Sequence, residues 1–214
     1  MIVAGLTGGI ASGKSTVSST LKKNGAFIID ADQVARDVVV PGSKGLQLIV
    51  DEFSPFMLSE DGTLDRKRLG NLVFISPESM DKLNKIMTPL IEEETAKQIR
   101  CAQYHGCSII VYDAALIAEM GHADKYRPLI AVRCTEEQQI DRLMKRGTGH
   151  GTLTREAAIA RINTQMSVAE KATMSDWIID SSGTIEESIK QTDTIYLCLR
   201  VLLRDQRIVS EGKR

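Results

Sequence analysis

The chain has 214 residues, a length that suits one large domain or a core with small insertions. It is 43% hydrophobic and 26% charged, so it can bury a sizeable core without disulfide or metal staples. A formal net charge of −1 and 4% aromatic content argue against a nucleic-acid or membrane-surface protein, and any anionic ligand must be held by a local site.

The N-terminus, MIVAGLTGG, lacks the basic region and long apolar stretch of a secretory signal. No apolar run approaches the ~20 residues that span a bilayer. A soluble, cytoplasmic protein is expected. Cys101, Cys107, Cys134 and Cys198 form no CxxC pair, so no zinc ribbon or redox motif is expected. Cys101, His105 and Cys107 are close in sequence but fit no common ligand spacing; two half-buried thiols and a surface histidine are expected.

Ile2 to Leu6 is a short apolar run bounded by glycine and predicts a buried strand. A helix pattern then runs from Gly13 through Val17 and Leu21 to a stop at Asn24-Gly25. "AFIIDAD" predicts a second buried strand that ends in Asp30 and Asp32. Strand, loop, helix, strand is a βαβ opening and implies a parallel sheet. From Val34 to about His105 the pattern turns helical. Turns fall at Pro41–Gly45 and Ser59–Thr63, Pro77 sits at an N1-like position, and Pro89 is expected to start a further helix. Strands return at "CSIIVYDA" and "RPLIAVRC". Thr135 and Gln138 predict a capping box, Gly147–Gly151 a hinge-like loop, and Thr154 an N-cap. "DWIIDSSG" predicts the last strand. A helix capped by Thr184 and Glu187 should end near Arg204, before a loose tail.

The segment from Gly8 to Thr16 carries the chemistry. Gly8-x4-Gly13-Lys14-Ser15 fits the phosphate-loop pattern in full, and it lies between a strand and a helix. Gly8, Gly9 and Gly13 let the backbone wrap a phosphate, with Ile10, Ala11 and Ser12 supplying amides between them. The helix beginning after Gly13 turns its positive end to the anion. Lys14 suits the β- and γ-phosphates of a polyphosphate ligand, the Ser15 hydroxyl suits Mg²⁺, and Thr16 continues the cradle. Asp30 and Asp32, at a strand end beside this loop, offer a carboxylate to a transferring phosphate, although a helix N-cap is the plainer role for either one. A guanine-reading N-K-x-D segment is absent: "LNKIM" has Met87 where the aspartate belongs.

"LTGGIASGKST", "IIDADQVARDVV", "DGTLDRKRL", "LNKIMTPLI", "QQIDRLMKR" and "DWIIDSSG" together resemble the dephospho-coenzyme A kinase family, over Ile2 to about Ile189. The resemblance implies an α/β P-loop NTPase fold, a three-layer α/β/α core with a parallel sheet. The core would comprise 1–33, 107–145 and 167–214, with a helical acceptor-binding insertion at 34–106 and a small helical lid at 146–166. It implies transfer of the γ-phosphoryl group of ATP to the ribose 3′-hydroxyl of dephospho-CoA, with Mg²⁺. On this resemblance Asp32 takes the hydroxyl proton. Thr7, Arg66, Thr88 and Glu119 face the acceptor, Arg142 and Arg146 cover the transferring group, and Asp180 and Gly183 line the adenine pocket. The chain departs from the family at Thr88, where histidine is usual. It departs also at Ala115 and Ala118, where a proline and an aromatic are usual, and at Ser182, where asparagine is common. Other readings of the same scaffold are a nucleoside or nucleotide kinase and a regulatory nucleotide switch. The sequence leaves the oligomeric state open.

Overall fold

The computed structural model describes residues 1–147 and 153–211, with 206–211 as helical backbone. The chain divides into two compact units, residues 1–29 with 102–214, and residues 30–101.

The first unit is built on a five-stranded sheet of β1 (Ile2–Gly8), β2 (Phe27–Asp30), β3 (Ile109–Asp113), β4 (Leu129–Arg133) and β5 (Trp177–Asp180), in the order β2-β3-β1-β4-β5. β1 runs parallel to both β3 and β4, and β4 runs parallel to β5. Strand residues alternate between the two faces of a sheet. Ile2, Ala4 and Leu6 therefore share a face, where they pack with Val17 and Leu21 of α1 (Lys14–Lys23) and Ile195 and Leu199 of α9 (Ile185–Glu211). Thr7 points to the opposite face, where α8 (Val168–Thr173) packs against β1 and β4. Helices on both faces explain why the strands read as continuous apolar runs. The β2-β3-β1-β4 order makes the chain change direction at the carboxyl end of β1, the point where open α/β sheets collect ligands.

α6 (Glu136–Arg146) and α7 (Arg155–Ile162) complete this unit. Their apolar faces meet in a small cluster of Ala11, Ile140, Leu143 and Ala158, with Ile10 packed against it. The chain after residue 152 is thus packed on the apolar residues of the phosphate loop. The boxes predicted at Thr135/Gln138 and Thr184/Glu187 are formed, and Thr154 caps α7.

The second unit holds α2 (Ala31–Asp37), α3 (Lys44–Phe53), a short 3-10 turn at Pro55–Met57, α4 (Arg66–Ile75) and most of α5 (Pro77–Tyr104). Its core is Val39, Ile49, Met57, Leu69 and Val73, flanked by Leu64, Met80, Leu83, Ile86 and Met87. The spacing of these last four is the helical period read from the sequence.

Several expectations are corrected. The second strand stops at Asp30, because the Asp30 side chain accepts from the amides of Asp32 and Gln33 and turns the chain into α2. Pro89 starts no new helix: it lies inside α5, which continues through it. The last helix does not end near Arg204 but runs to Glu211, so most of the expected loose tail is helical backbone. The predicted hinge at Gly147–Gly151 lies, beyond Gly147, outside the described residues, as do 212–214. Cys101 is exposed rather than half-buried; Cys107 is half-buried and His105 exposed, as expected. No described helix is long and apolar enough to cross a membrane.

Proline inside a helix removes one backbone hydrogen bond and clashes with the preceding turn, and Pro89 is exposed. Pro89→Ala is therefore expected to stabilise the chain by about 1–3 kcal/mol. A denaturant titration that gives a midpoint equal to or below the parent's would contradict this.

Candidate functional site

The loop between β1 and α1 takes its shape from two left-handed residues, Ala11 at φ 57° and Gly13 at φ 90°. A Cβ on Gly13 would lie 3.3 Å from the Ser181 hydroxyl, so glycine meets both a steric and a conformational demand. Gly13 is also the N-cap of α1, and no side chain caps that helix. By contrast α2, α3, α4, α6, α7 and α8 are all capped by Asp, Ser or Thr side chains. No acidic residue lies in the first turn of α1. The Thr16 amide is taken by Gly13 C=O, and the positive end of this helix with the amides of Lys14 and Ser15 is left for an external anion.

Lys14 forms an ion pair with Asp113, a buried carboxylate at the end of β3. The register Leu6↔Asp113 sets it beside the end of β1. Ile109 and Val111 face α1, so Asp113, two residues further, faces it as well. Asp113 escaped the sequence reading. Its signal is the run "IIVYD", an apolar strand closed by a carboxylate, in a strand that turns out to neighbour β1.

The loop is braced from several sides. Ile10 N–H donates to Gln165 Oε1 at 3.1 Å, and Gln139 Nε2 donates to Ile10 C=O at 2.6 Å. A Cβ on Gly9 would come within 2.7 Å of both Gln139 Nε2 and Val168 Cγ1. The Ser181 hydroxyl donates to Ser12 C=O at 2.5 Å. Arg142 donates to Ser181 C=O at 2.7 Å and to Ala11 C=O at 3.4 Å. Gln139 and Ser181 were not anticipated from sequence; each is an uncharged residue whose role depends on a distant partner.

Arg142, Arg146 and Gly183 line one cleft of about 270 Å³ together with Gly13, Thr16 and Ser181. Asp180 does not line it. Its carboxylate accepts from Ser182 N–H at 2.9 Å and pairs with Arg133 at 3.2 Å, so it shapes the turn that ends in Gly183. Glu137 is bound by Arg155 at 2.6 Å, which leaves Arg142 to the loop carbonyls.

Thr7 is fully buried, and its hydroxyl donates to Ala115 C=O at 3.0 Å. Glu119 accepts from Met166 N–H at 3.0 Å and pairs with Lys171 at 2.8 Å. Each of these side chains thus has a partner within the protein, Thr7 while buried and Glu119 while still partly exposed. Asp32, Arg66 and Thr88 belong to the second unit. Asp32 is exposed in the first turn of α2. Arg66 is exposed as a residue at the head of α4, and partial desolvation of its guanidinium, followed by the neighbouring Arg36, holds it below the usual range. Thr88 is half-buried within α5.

Among the described residues no cluster of three His, Cys, Asp or Glu side chains would hold a metal unaided. The donors beside the loop are hard oxygens: the exposed residue Ser15, and Asp113 through its contact with Lys14. That set fits Mg²⁺, which takes one or two protein oxygens and completes its shell with phosphates and water.

The dephospho-CoA kinase (CoaE) family model matches residues 1–187. The chain is 42% identical over 196 residues to a dephospho-CoA kinase of Corynebacterium jeikeium, covering 92% of this chain and 98% of that protein. It is 42% identical over 193 residues to a dephospho-CoA kinase of Carboxydothermus hydrogenoformans, covering 90% and 92%. Among solved structures, protein TT1252 of Thermus thermophilus superimposes with a TM-score of 0.79 at 26% identity, over 92% of this chain and 96% of that one. A dephospho-CoA kinase of Campylobacter jejuni gives a TM-score of 0.62 at 23% identity, over 92% and 96%, and a shikimate kinase of Aquifex aeolicus 0.52 at 14%, over 94% and 99%; these two show the shared P-loop kinase fold.

The turn beside the cleft makes a pH prediction. Asp180 is held below the usual carboxylate range by the Ser182 N–H first, then by the Ser182 side chain and Arg133. A depressed folded-state value adds stability that is present above the unfolded value of about 3.9 and is lost as pH falls through the folded value. Asp180→Asn should lower the melting temperature at pH 7, and the gap to the parent should close towards pH 3. A gap that widens on acidification in paired thermal melts would refute the assignment.

Proposed function

Because the chain belongs to the dephospho-CoA kinase family, we propose that it moves the γ-phosphoryl group of ATP to the ribose 3′-hydroxyl of dephospho-CoA, giving coenzyme A and ADP, the last step of coenzyme A biosynthesis. The observation that carries this reading is the uncapped phosphate loop, with Lys14 on a strand-end carboxylate, in a chain whose family match spans residues 1–187.

In this reading the amides at the head of α1 hold the β- and γ-phosphates, and Lys14 turns from Asp113 to the γ-phosphate as the nucleotide arrives. Ser15, with Asp113 once Lys14 has left it, would hold Mg²⁺. When bound, the metal neutralises charge on the phosphate oxygens. A lone pair of the 3′-oxygen attacks the γ-phosphorus. The bond from that phosphorus to the β,γ-bridging oxygen breaks, and its electron pair leaves with ADP. Asp32 orients the 3′-hydroxyl and takes its proton. The transition state is loose and its charge is spread over oxygens, so positioning and electrostatics outweigh proton removal.

The arginines have distinct tasks. Arg146 offers charge to the phosphates from the cleft, while Arg142 shares itself between the loop carbonyls and the nucleotide. Asp180 and Gly183 fix the turn beside the base. Arg66 supplies charge to the acceptor's phosphates; its neighbour Arg36 makes an anion there more welcome, because two close guanidinium groups repel until one is neutralised. Thr88 and Glu119 act at the acceptor's edge.

The test is an assay with ATP, Mg²⁺ and dephospho-CoA, with coenzyme A detected by mass. The unmodified chain should form coenzyme A only when all three are present. Lys14→Ala and Asp32→Asn should each reduce turnover by on the order of 10² or more. Near-parental transfer by Asp32→Asn would remove it as the base. ATP hydrolysis that dephospho-CoA does not alter would replace the kinase reading with a nucleotide switch.

A further inference from the structure

Lys171, on α8, is fully buried. Taking an ammonium out of water costs several kcal/mol unless charge and hydrogen bonds compensate it. Here Nζ donates to Ala115 C=O at 2.6 Å and pairs with Glu119 Oε1 at 2.8 Å. Both partners belong to the segment that follows β3, far from Lys171 in sequence. α8 itself is one six-residue capped turn, too short to hold its own position.

Each partner also holds something else. Ala115 C=O accepts the Thr7 hydroxyl at 3.0 Å, so its two lone pairs tie Lys171 to the end of β1. Ala115 lies two residues after Asp113, the counterion of Lys14. Glu119 Oε1 accepts Met166 N–H at 3.0 Å. The residue before, Gln165, accepts the Ile10 amide of the phosphate loop at 3.1 Å. The contacts thus form a closed circuit. It runs from the phosphate loop through Gln165 and Met166 to Glu119, through Lys171 to Ala115, and back to Thr7 at the root of the loop.

We propose that Lys171 is a positioning residue for phosphoryl transfer. It locks the segment after β3, and with it Thr7 and Asp113, to the Gln165–Val168 stretch that grips the phosphate loop. A purely structural filler at this point is better served by an apolar side chain, since a buried ion pair is commonly no more stabilising than well-packed apolar residues. What the lysine supplies is reach: one unbranched stem that delivers donors to two acceptors on another segment. It acts through Ala115 and Glu119 and touches neither nucleotide nor acceptor.

The proposal rests on the kinase reading for its activity readout, and the experiment separates the two. Lys171→Met keeps length and packing and removes the donors, leaving Glu119 with its partly exposed side chain and the Met166 amide. With folding verified by circular dichroism at the assay temperature, kcat per folded molecule should fall at least about tenfold, while KM for ATP stays within about twofold. Should Lys171→Met not fold, Lys171→Gln, which is one bond shorter and uncharged but keeps an amide donor, stands in; a several-fold loss of kcat with little change in melting temperature is then expected. Parental kcat per folded molecule in Lys171→Met, or in Lys171→Gln where that variant must stand in, overturns the positioning role. If the unmodified chain makes no coenzyme A, the kinase reading fails first and this proposal falls with it; an active parent with equally active variants sinks the proposal alone.

Discussion

One constraint organises the first unit: the head of α1 must stay uncapped and open to an anion, although free amides beside a buried sheet are costly to leave without partners. A side-chain cap would satisfy them locally and abolish the site. The fold instead holds the loop in shape by its carbonyls and its outer amide. Gln139 takes Ile10 C=O, Gln165 takes Ile10 N–H, Ser181 takes Ser12 C=O, and Arg142 takes Ala11 C=O. These bonds fix the curvature without using the amides at the helix end. The same economy explains Lys14. Its charge is balanced by Asp113, at the strand end next to β1, so that Lys14 too is held beside the open helix end.

The bracing groups come from separate parts of the chain. Gln139 and Arg142 are on α6, Gln165 follows α7, and Ser181 follows β5. The parallel sheet gathers them, because every strand delivers its carboxyl end to the same edge. The apolar faces of α6 and α7 meet on Ile10 and Ala11, so the phosphate loop is also part of a small core. Packing and loop geometry are therefore coupled: a shift of α7 is felt at Ile10.

Much of this was legible. The strand β1, the loop, α1 and the parallel sheet follow from local patterns, because a buried strand, a glycine loop and an amphipathic helix each leave a short-range signature. The capping boxes at Thr135 and Thr184 are likewise local, each requiring only residues three apart. The errors arose where a local signal was outvoted. Pro89 reads as a helix start, yet Leu83, Ile86 and Met87 before it are anchored in the core of the second unit and carry the helix through. "DAD" reads as strand, but one carboxylate bonding two amides ends the strand at Asp30. The partner that Glu119 finds in the folded chain, the buried Lys171, lies 52 positions away and leaves no mark near it in the sequence.

The sequence by itself determined the chemistry on offer: a phosphate loop with its lysine and serine, a carboxylate pair after the second strand, and a family pattern running nearly the length of the chain. Only the tertiary structure decided which partner each of these groups meets. It assigned Asp113 to Lys14, Arg142 to the loop carbonyls, Asp180 to a turn, and Lys171 to a buried tie between two segments. The physical reason is range. Helix caps, glycine turns and strand runs are fixed by neighbours within a few residues, whereas a buried ion pair or a bracing amide is defined by a partner brought near only when the sheet closes.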